Sequence, residues 1–230
     1  MVEKKIDGAY ILTPLGRLAI GFLSNFNFVL KNSEYFLTHD TISLPSEFVS
    51  RLGELSMCEL STDIMPNFNR ITRIIGEAQE YIWTMTDQTD TNQVKTTAEK
   101  VAMGTKLKLI MQENLSKVAK PVLVGEQNIE RRYLARLNAC LLMNEKEAFI
   151  TLRRVDGRMD YGGFFGTDET FRKWVGDFFY YYWDRAMRWP LFSMTEVNDS
   201  FRVLVHSSSK TQLQQAASLN NQNLIFEPRL

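Results

Sequence analysis

Glu80-Tyr-Ile-Trp-Thr-Met85 is rich in β-branched and aromatic residues and reads as a strand. After it, residues 93–103 read as a helix and Lys106-Leu-Lys-Leu-Ile-Met111 as a second strand. Before it, Cys58-Glu-Leu-Ser-Thr62 reads as a strand, and residues 67–78 as a helix with Phe68, Ile71, Ile74 and Ile75 inward. Strand, helix, strand, helix, strand in this order favours a parallel sheet with helices on its faces. Further along, residues 126–137 read as another helix. Ala139-Cys-Leu-Leu-Met143 and Glu147-Ala-Phe-Ile-Thr-Leu152 form a hairpin through Asn144-Glu-Lys146. Residues 161–165 make a short strand. Thr167 caps a last helix, with Asp168 and Glu169 in its first turn, Phe171, Trp174, Val175, Phe178 and Tyr182 inward, and Pro190 stopping it. The expected class is α/β, with a mixed, largely parallel sheet flanked by helices.

Outward from this centre, the chain divides into three parts. Residues 1–40 hold a strand, Asp7-Gly-Ala-Tyr-Ile-Leu-Thr13, and a long helix opened by Pro14. Residues 41–190 are the α/β domain, entered through a connector at 39–45 and a short helix that Ser46 caps and Gly53 ends. Residues 191–230 carry one more strand, Phe201-Arg-Val-Leu-Val-His206, and then a Ser-, Gln- and Asn-rich stretch expected to be a mobile tail. On the first helix, Leu15, Leu18, Phe22, Phe26, Val29, Leu30 and Phe36 recur at helical spacings, while Ile20, Leu23 and Phe28 fall outside the stripe. A helix greasy on more than one side is either a dimer interface or a central core helix. The dimer reading assigns Leu15, Leu18, Phe22, Phe26 and Val29 to the interface.

Composition narrows the function. Hydrophobic residues make up 44% of the 230, enough for a full core at this length. Lys plus Arg equal Asp plus Glu at 27 each, which argues against a large intrinsic nucleic-acid surface, since phosphate contacts demand an excess of cations. Met1-Val-Glu-Lys-Lys-Ile-Asp7 has no apolar run of the secretory type, and no stretch reaches the ~18 apolar residues of a membrane span. The expected compartment is the cytoplasm. Cys58 and Cys140 then read as buried free thiols.

Catalytic patterns are sparse. The histidines are His39 and His206, each at the end of an element, and Cys and His spacings match no zinc site. There is no Gly-x-Ser-x-Gly, GxGxxG or phosphate-binding loop. Gly157, Gly162, Gly163 and Gly166 suit tight turns. No cofactor or metal is expected. One cluster stands out beyond a strand end, where ligands of α/β sheets gather: Arg153, Arg154, Asp156, Arg158, Asp160 and Tyr161. Arg holds carboxylate or phosphate bidentately, so Arg153 and Arg154 are candidate anion anchors, with Asp160, Tyr161 and Trp83 completing a pocket. The alternative is a solvated loop with surface ion pairs. Glu130, Arg131, Arg132 and Tyr133 form a second polar group, on the expected helix.

Several stretches together carry a resemblance. They are Arg132-Tyr-Leu-Ala-Arg-Leu-Asn-Ala-Cys-Leu-Leu-Met-Asn-Glu-Lys-Glu-Ala-Phe-Ile150, Asp156-Gly-Arg-Met-Asp-Tyr-Gly-Gly-Phe-Phe-Gly166, Phe171-Arg-Lys-Trp174 and Tyr180-Tyr-Tyr-Trp183. In this order they resemble the C-terminal region of archaeal winged-helix transcriptional regulators. Pro45-Ser-Glu-Phe-Val-Ser-Arg-Leu-Gly-Glu-Leu55 is similar to the segment entering their effector-binding domain. The resemblance implies a wing strand feeding a dimerisation helix and a phospholipase-D-like effector domain without phospholipase activity. Such an active site needs His-x-Lys, whereas His206 is followed by Ser207 and Ser208. With six residues before the first strand, the recognition helix and the other wing strand are expected to be missing.

The expected function is therefore an effector-sensing and dimerisation module in transcription regulation, not an enzyme. It would form a homodimer, or a heterodimer with a full-length regulator, and take a small anionic effector. It would reach DNA weakly or through a partner, with no membrane contact. The competing expectation is a small hydrolase or transferase acting on an anionic substrate through the Arg153–Asp160 loop.

Overall fold

A computed structural model describes residues 1–88, 90–116 and 127–188. The strand and tail expected over 191–230, and the stop at Pro190, lie outside the described residues. The chain opens on a hairpin: β1 (Val2–Lys4) pairs antiparallel with β2 (Tyr10–Leu12). A partner strand for Tyr10–Leu12, expected to be missing, is thus present. Gly8, at φ +86°, makes the turn between them, and the Asp7 side chain accepts the Ala9 N–H. Val-Glu-Lys is too short to announce a strand; its pairing with β2 makes it one.

Thr13 accepts the Gly16 N–H and caps α1 (Pro14–Lys31), with Pro14 in the first turn. The expected single helix breaks at Asn32. Its side chain and its N–H both donate to the Phe28 carbonyl, and α2 (Ser33–Thr38) follows. Next come α3 (Ser46–Val49), where Pro45 rather than Ser46 holds the cap position, and a 3-10 turn at Leu52–Leu55. A Cβ on Gly53 would stand 2.8 Å from Ser24 Cβ and 2.9 Å from Asn25 N, so glycine lets α1 lie against this turn. Asn25 fastens the contact, donating to Ser50 O at 2.7 Å and accepting the Gly53 N–H.

Eight strands form the main sheet among the described residues. They are β3 (Glu59–Ser61), β4 (Tyr81–Thr86), β5 (Lys106–Gln112), β6 (Ile129–Leu134), β7 (Ala139–Met143), β8 (Ala148–Leu152), β9 (Gly163–Gly166) and β10 (Met187–Arg188), in spatial order β10-β6-β5-β4-β7-β8-β9-β3. The α/β class and the mixed sheet stand as expected. Parallel pairing is confined to β4 with β5 and β5 with β6; the other neighbours are antiparallel, so the sheet is mixed without being largely parallel. The helices are α4 (Ile64–Glu77), α5 (Thr91–Ala102), the short α6 (Glu113–Ser116) and α7 (Glu169–Arg185).

Where a helix was expected over 126–137, Ile129–Leu134 instead form β6; residue 126 lies outside the described residues. Helix formers fill that window, but β5 carries Leu107, Ile110 and Met111 buried and needs a hydrogen-bonding partner on its open side. Paired there, Ile129 packs on one face of the sheet and Leu134 on the other. Asp168, not Thr167, caps α7, accepting from Thr170 and Phe171 N–H, and the helix ends at Arg185.

The sheet separates two cores by residue parity. Met85, Leu141, Met143, Ile150, Leu152 and Phe164 face α7 and the N-terminal elements. Ile82, Leu107, Cys140, Leu142, Phe149 and Phe165 face Ile71, Ile74 and Ile75 of α4 and Val101 of α5. β7, β8 and β9 are buried throughout, as strands covered on both faces must be.

Candidate functional site

The Arg153 cluster lies at one end of the sheet. Asp87 follows β4, Gln112 closes β5, Cys140 is the second residue of β7, and Arg153 follows β8. Arg153 is buried, and each nitrogen of its guanidinium donates at least one hydrogen bond. Nη2 donates to Asp87 Oδ2 at 3.0 Å and to Gln112 Oε1 at 3.2 Å. Nε donates to Leu137 O at 2.7 Å and Nη1 to Gly157 O at 2.8 Å. Asp87 Oδ1 accepts the Tyr161 hydroxyl at 3.0 Å and faces Cys140 Sγ at 3.6 Å. Burial, reinforced by Asp87, pushes the Cys140 thiol well above its ordinary value. Burial, with Cys140 and Asp87, does the same for the Tyr161 phenol. Both stay protonated at neutral pH. Tyr161 has φ 58°, the left-handed region. Its carbonyl, held by the Asn67 side chain at 2.9 Å, keeps it there.

A second, shallower set of groups adjoins the first. Asp160 accepts Arg154 Nη1 at 3.1 Å and the Gly162 N–H at 3.0 Å, and faces His39 Nε2 at 3.3 Å. The other ring nitrogen of His39 lies 2.8 Å from Tyr35 O, and the ring stacks on Tyr35 at 3.7 Å. Burial raises the Asp160 carboxyl, but Arg154, His39 and the Gly162 N–H outweigh it and hold it below the usual range. Asp156 is held well below that range by Arg158 and, further off, Arg154. His39 is thus a buried tie between α2 and the 153–160 loop, which also exchange backbone bonds, Asp40 N–H to Arg153 O and Val155 N–H to Thr38 O.

Of the residues expected to line an anion pocket, the fold gathers Arg153, Arg154, Asp160 and Tyr161 and separates Trp83. Trp83 lies on the opposite face of the sheet, stacked between Tyr81 at 4.4 Å and Phe179 at 5.6 Å. Residues 83 and 161 therefore cannot wall one cavity. Arg153 and Arg154 are occupied by the protein's own carboxylates. Asp87 and Gln112 were not legible as members: each ends a strand, and only the sheet brings them to Arg153. The second polar group sits on β6, where Arg132 lies 4.3 Å over the Trp183 ring. His206 is outside the described residues.

The N-terminal unit offers a different surface. Along α1, Leu15, Leu18, Phe22 and Phe26 are exposed, Phe22 at 72% and Phe26 at 59%. Leu23 and Leu30 join them. Val29, expected in this stripe, instead packs half-buried against the protein's own core. Phe28 turns inward, 5.4 Å from the Phe164 ring.

No family model matches this chain, and no curated protein matches it. Solved structures do. It is similar to TrmBL2, an archaeal chromatin protein described as showing a novel mode of DNA binding. That match has 17% identity over 82% of this chain and 77% of that one, with a TM-score of 0.48. It is similar to Nuc from Salmonella typhimurium, a phospholipase D family member, at 9% identity over 53% of this chain and 90% of that one, TM-score 0.43. It is also similar to NucT from Helicobacter pylori, at 13% identity over 54% and 92%, TM-score 0.44. Among the described residues no helix is long and apolar enough to cross a membrane, and no three His, Cys, Asp or Glu side chains gather as metal ligands.

Proposed function

We propose that this chain is a non-enzymatic dimerisation module of a DNA-binding regulator, with the β1–β2 hairpin acting as its wing. The observation that supports it is the exposed apolar stripe of α1. Monomers rarely leave contiguous apolar patches of several hundred Å² open to water, and patches of that kind mark interaction sites. The hairpin feeds directly into this helix. Thr13, the α1 cap, donates its N–H and its hydroxyl to Met1 O, at 3.1 Å each, and α1 begins one residue later. Spacing between two helices would therefore set the spacing between two wings, the geometry by which dimeric regulators match half-sites. The balanced charge leaves the chain to meet DNA weakly or through a full-length partner.

The enzymatic alternative through the Arg153–Asp160 loop lacks an activated nucleophile. The thiol of Cys140 and the phenol of Tyr161 are protonated, and both ring nitrogens of His39 face groups of the protein. Arg153 is engaged by Asp87, Gln112 and two carbonyls and Arg154 by Asp156 and Asp160, so this reading does not rely on either as an anchor for an anionic effector. An effector, in this reading, acts elsewhere on the domain or through the partner.

Sedimentation velocity at micromolar concentration tests the reading. The wild-type chain should run as a dimer, and Phe22→Glu/Phe26→Glu as a folded monomer. A compact wild-type monomer would refute it.

A further inference from the structure

We infer that the dimer face continues past α1, through α2 and onto the 153–160 loop, so that a second copy of this chain is gripped by Leu37, Ile42 and Val155 as well as by the helix. The inference rests on the dimer reading above and extends it to the α/β domain.

The first support is register. Across the break at Asn32 the faces of the two helices stay aligned at a spacing of seven. Phe28 and Tyr35 are both buried, Val29 and Phe36 both half-buried, and Leu30 and Leu37 both exposed, Leu37 at 79%. The outward row of Leu23 and Leu30, which lies beside the exposed Phe22 and Phe26, therefore reaches Leu37 near the end of α2. The second support is what lies there. The bridge between His39 and Arg154 joins the end of α2 to the loop. Within three residues of it stand Leu37, Ile42 at 96% exposure and Val155 at 69%. These are not loose ends. The Val155 N–H is held by Thr38 O at 3.0 Å, Asp40 N–H by Arg153 O at 2.7 Å, and Ile42 N–H by the Asp40 side chain at 3.0 Å. A patch whose backbone is already ordered loses little entropy on docking.

The occupant follows from charge, spacing and area. α1 carries Arg17 and Lys31 as its charged residues, and its remaining polar face is Ser and Asn. A helix lying on lipid, or tracking phosphates, needs a strongly cationic face, and this one has none. Rows repeating every seven residues suit packing against another helix of the same repeat, which an identical chain supplies. A specific interface buries about 800 Å² per partner. A helix of this length spans roughly 27 Å and presents only a few large side chains on one face. The patch at Leu37, Ile42 and Val155 adds area where the row ends.

The dimer constant of the full chain, measured by sedimentation equilibrium, tests this. Ile42→Glu/Val155→Glu should weaken the dimer at least tenfold while circular dichroism and the melting temperature stay those of the wild type. Met65→Glu, an equally exposed apolar position on α4, should change nothing. As a second readout, the thiol introduced by Ile42→Cys should react with a maleimide at least tenfold more slowly above the dimer constant than below it. If Phe22→Glu gives monomer while the Ile42/Val155 variant dimerises within twofold of wild type and the thiol labels at one rate throughout, this inference fails and the helix-only dimer survives. A monomeric wild type overturns both. Binding of a monomeric wild type to anionic phospholipid vesicles, lost in Phe22→Glu, overturns both in favour of a lipid surface.

Discussion

Arg153 shows how a residue suited to anion capture can be spent on the fold. Its side chain and that of Asp87 are each about nine-tenths buried, and they meet at 3.0 Å. Removing one partner strands the other charge away from water, at a cost of about 3–5 kcal/mol. Arg153→Ala should therefore lower the unfolding free energy by that order in urea titration. Arg153→Met/Asp87→Leu should recover much of the loss, because two apolar groups leave no uncompensated charge. Arg154→Ala should hardly move the midpoint, since its pairs with Asp156 and Asp160 are open to solvent. The carboxylates set the acid limit. Asp160, and Asp177 between Lys173 and Arg51, are raised by burial but held low on balance by their cationic partners. A carboxyl depressed in the native state stabilises fully above its unfolded value, near 3.9, and that stabilisation fades as pH falls through the native value. Stability should thus be level from pH 7 to 5 and fall below about pH 4, and Asp160→Asn should reduce the fall. Burial pushes the Cys58 thiol up to about 12, so it and Cys140 should alkylate slowly at pH 8 until the chain is unfolded.

Among the elements, α1 depends on a close approach that its own sequence does not announce. Gly53 permits it, and Asn25 fixes it with two bonds. A methyl group at Gly53 meets backbone and a Cβ, neither of which yields easily. Gly53→Ala should cost roughly 1–3 kcal/mol by overpacking and lower the melting temperature. The same element is where packing overrules amphipathicity: Val29 has the spacing of the outward stripe yet is drawn to the core. At the start of α7, Asp168 satisfies two free N–H groups of the helix. Asp168→Ala should cost about 1 kcal/mol, read by thermal denaturation, while Thr167→Ala should cost nothing comparable.

For the whole molecule, the two cores and the sheet between them form a body whose polar cluster is closed on itself, while its N-terminal arm carries apolar surface outward. The function proposed above assigns recognition to that arm. Titration of labelled duplexes should give binding in the ~10⁻⁴–10⁻⁶ M range of non-specific association, without preference over scrambled sequence and weakening with salt. Base-edge contacts supply about 1–3 kcal/mol of discrimination per bidentate pair, and a hairpin of two three-residue strands offers few. Tight, salt-resistant binding to one duplex would refute this.

Local pattern settled the strands and helices whose periodicity is strong. β4, β5, β7 and β8 were legible as short runs of apolar, β-branched and aromatic residues, and the inward face of α4 by its 3.6-residue repeat; on α7 the repeat found Phe171, Trp174, Val175 and Phe178 but took half-buried Tyr182 in place of buried Phe179 and Trp183. The arginine-rich loop was legible as a cluster too, because its members are neighbours in the chain. Three things were decided only by tertiary structure. β6 became a strand because β5 needed a partner, and a backbone's demand for hydrogen bonds leaves no trace in a neighbour's side chains. β1 became a strand through its pairing with β2. The role of Arg153 was set by Asp87 and Gln112, distant in sequence and adjacent only because β4, β5 and β8 end together. Residue type announces that a charge is present; whether it is free to bind a ligand depends on which opposite charge the fold has already placed beside it.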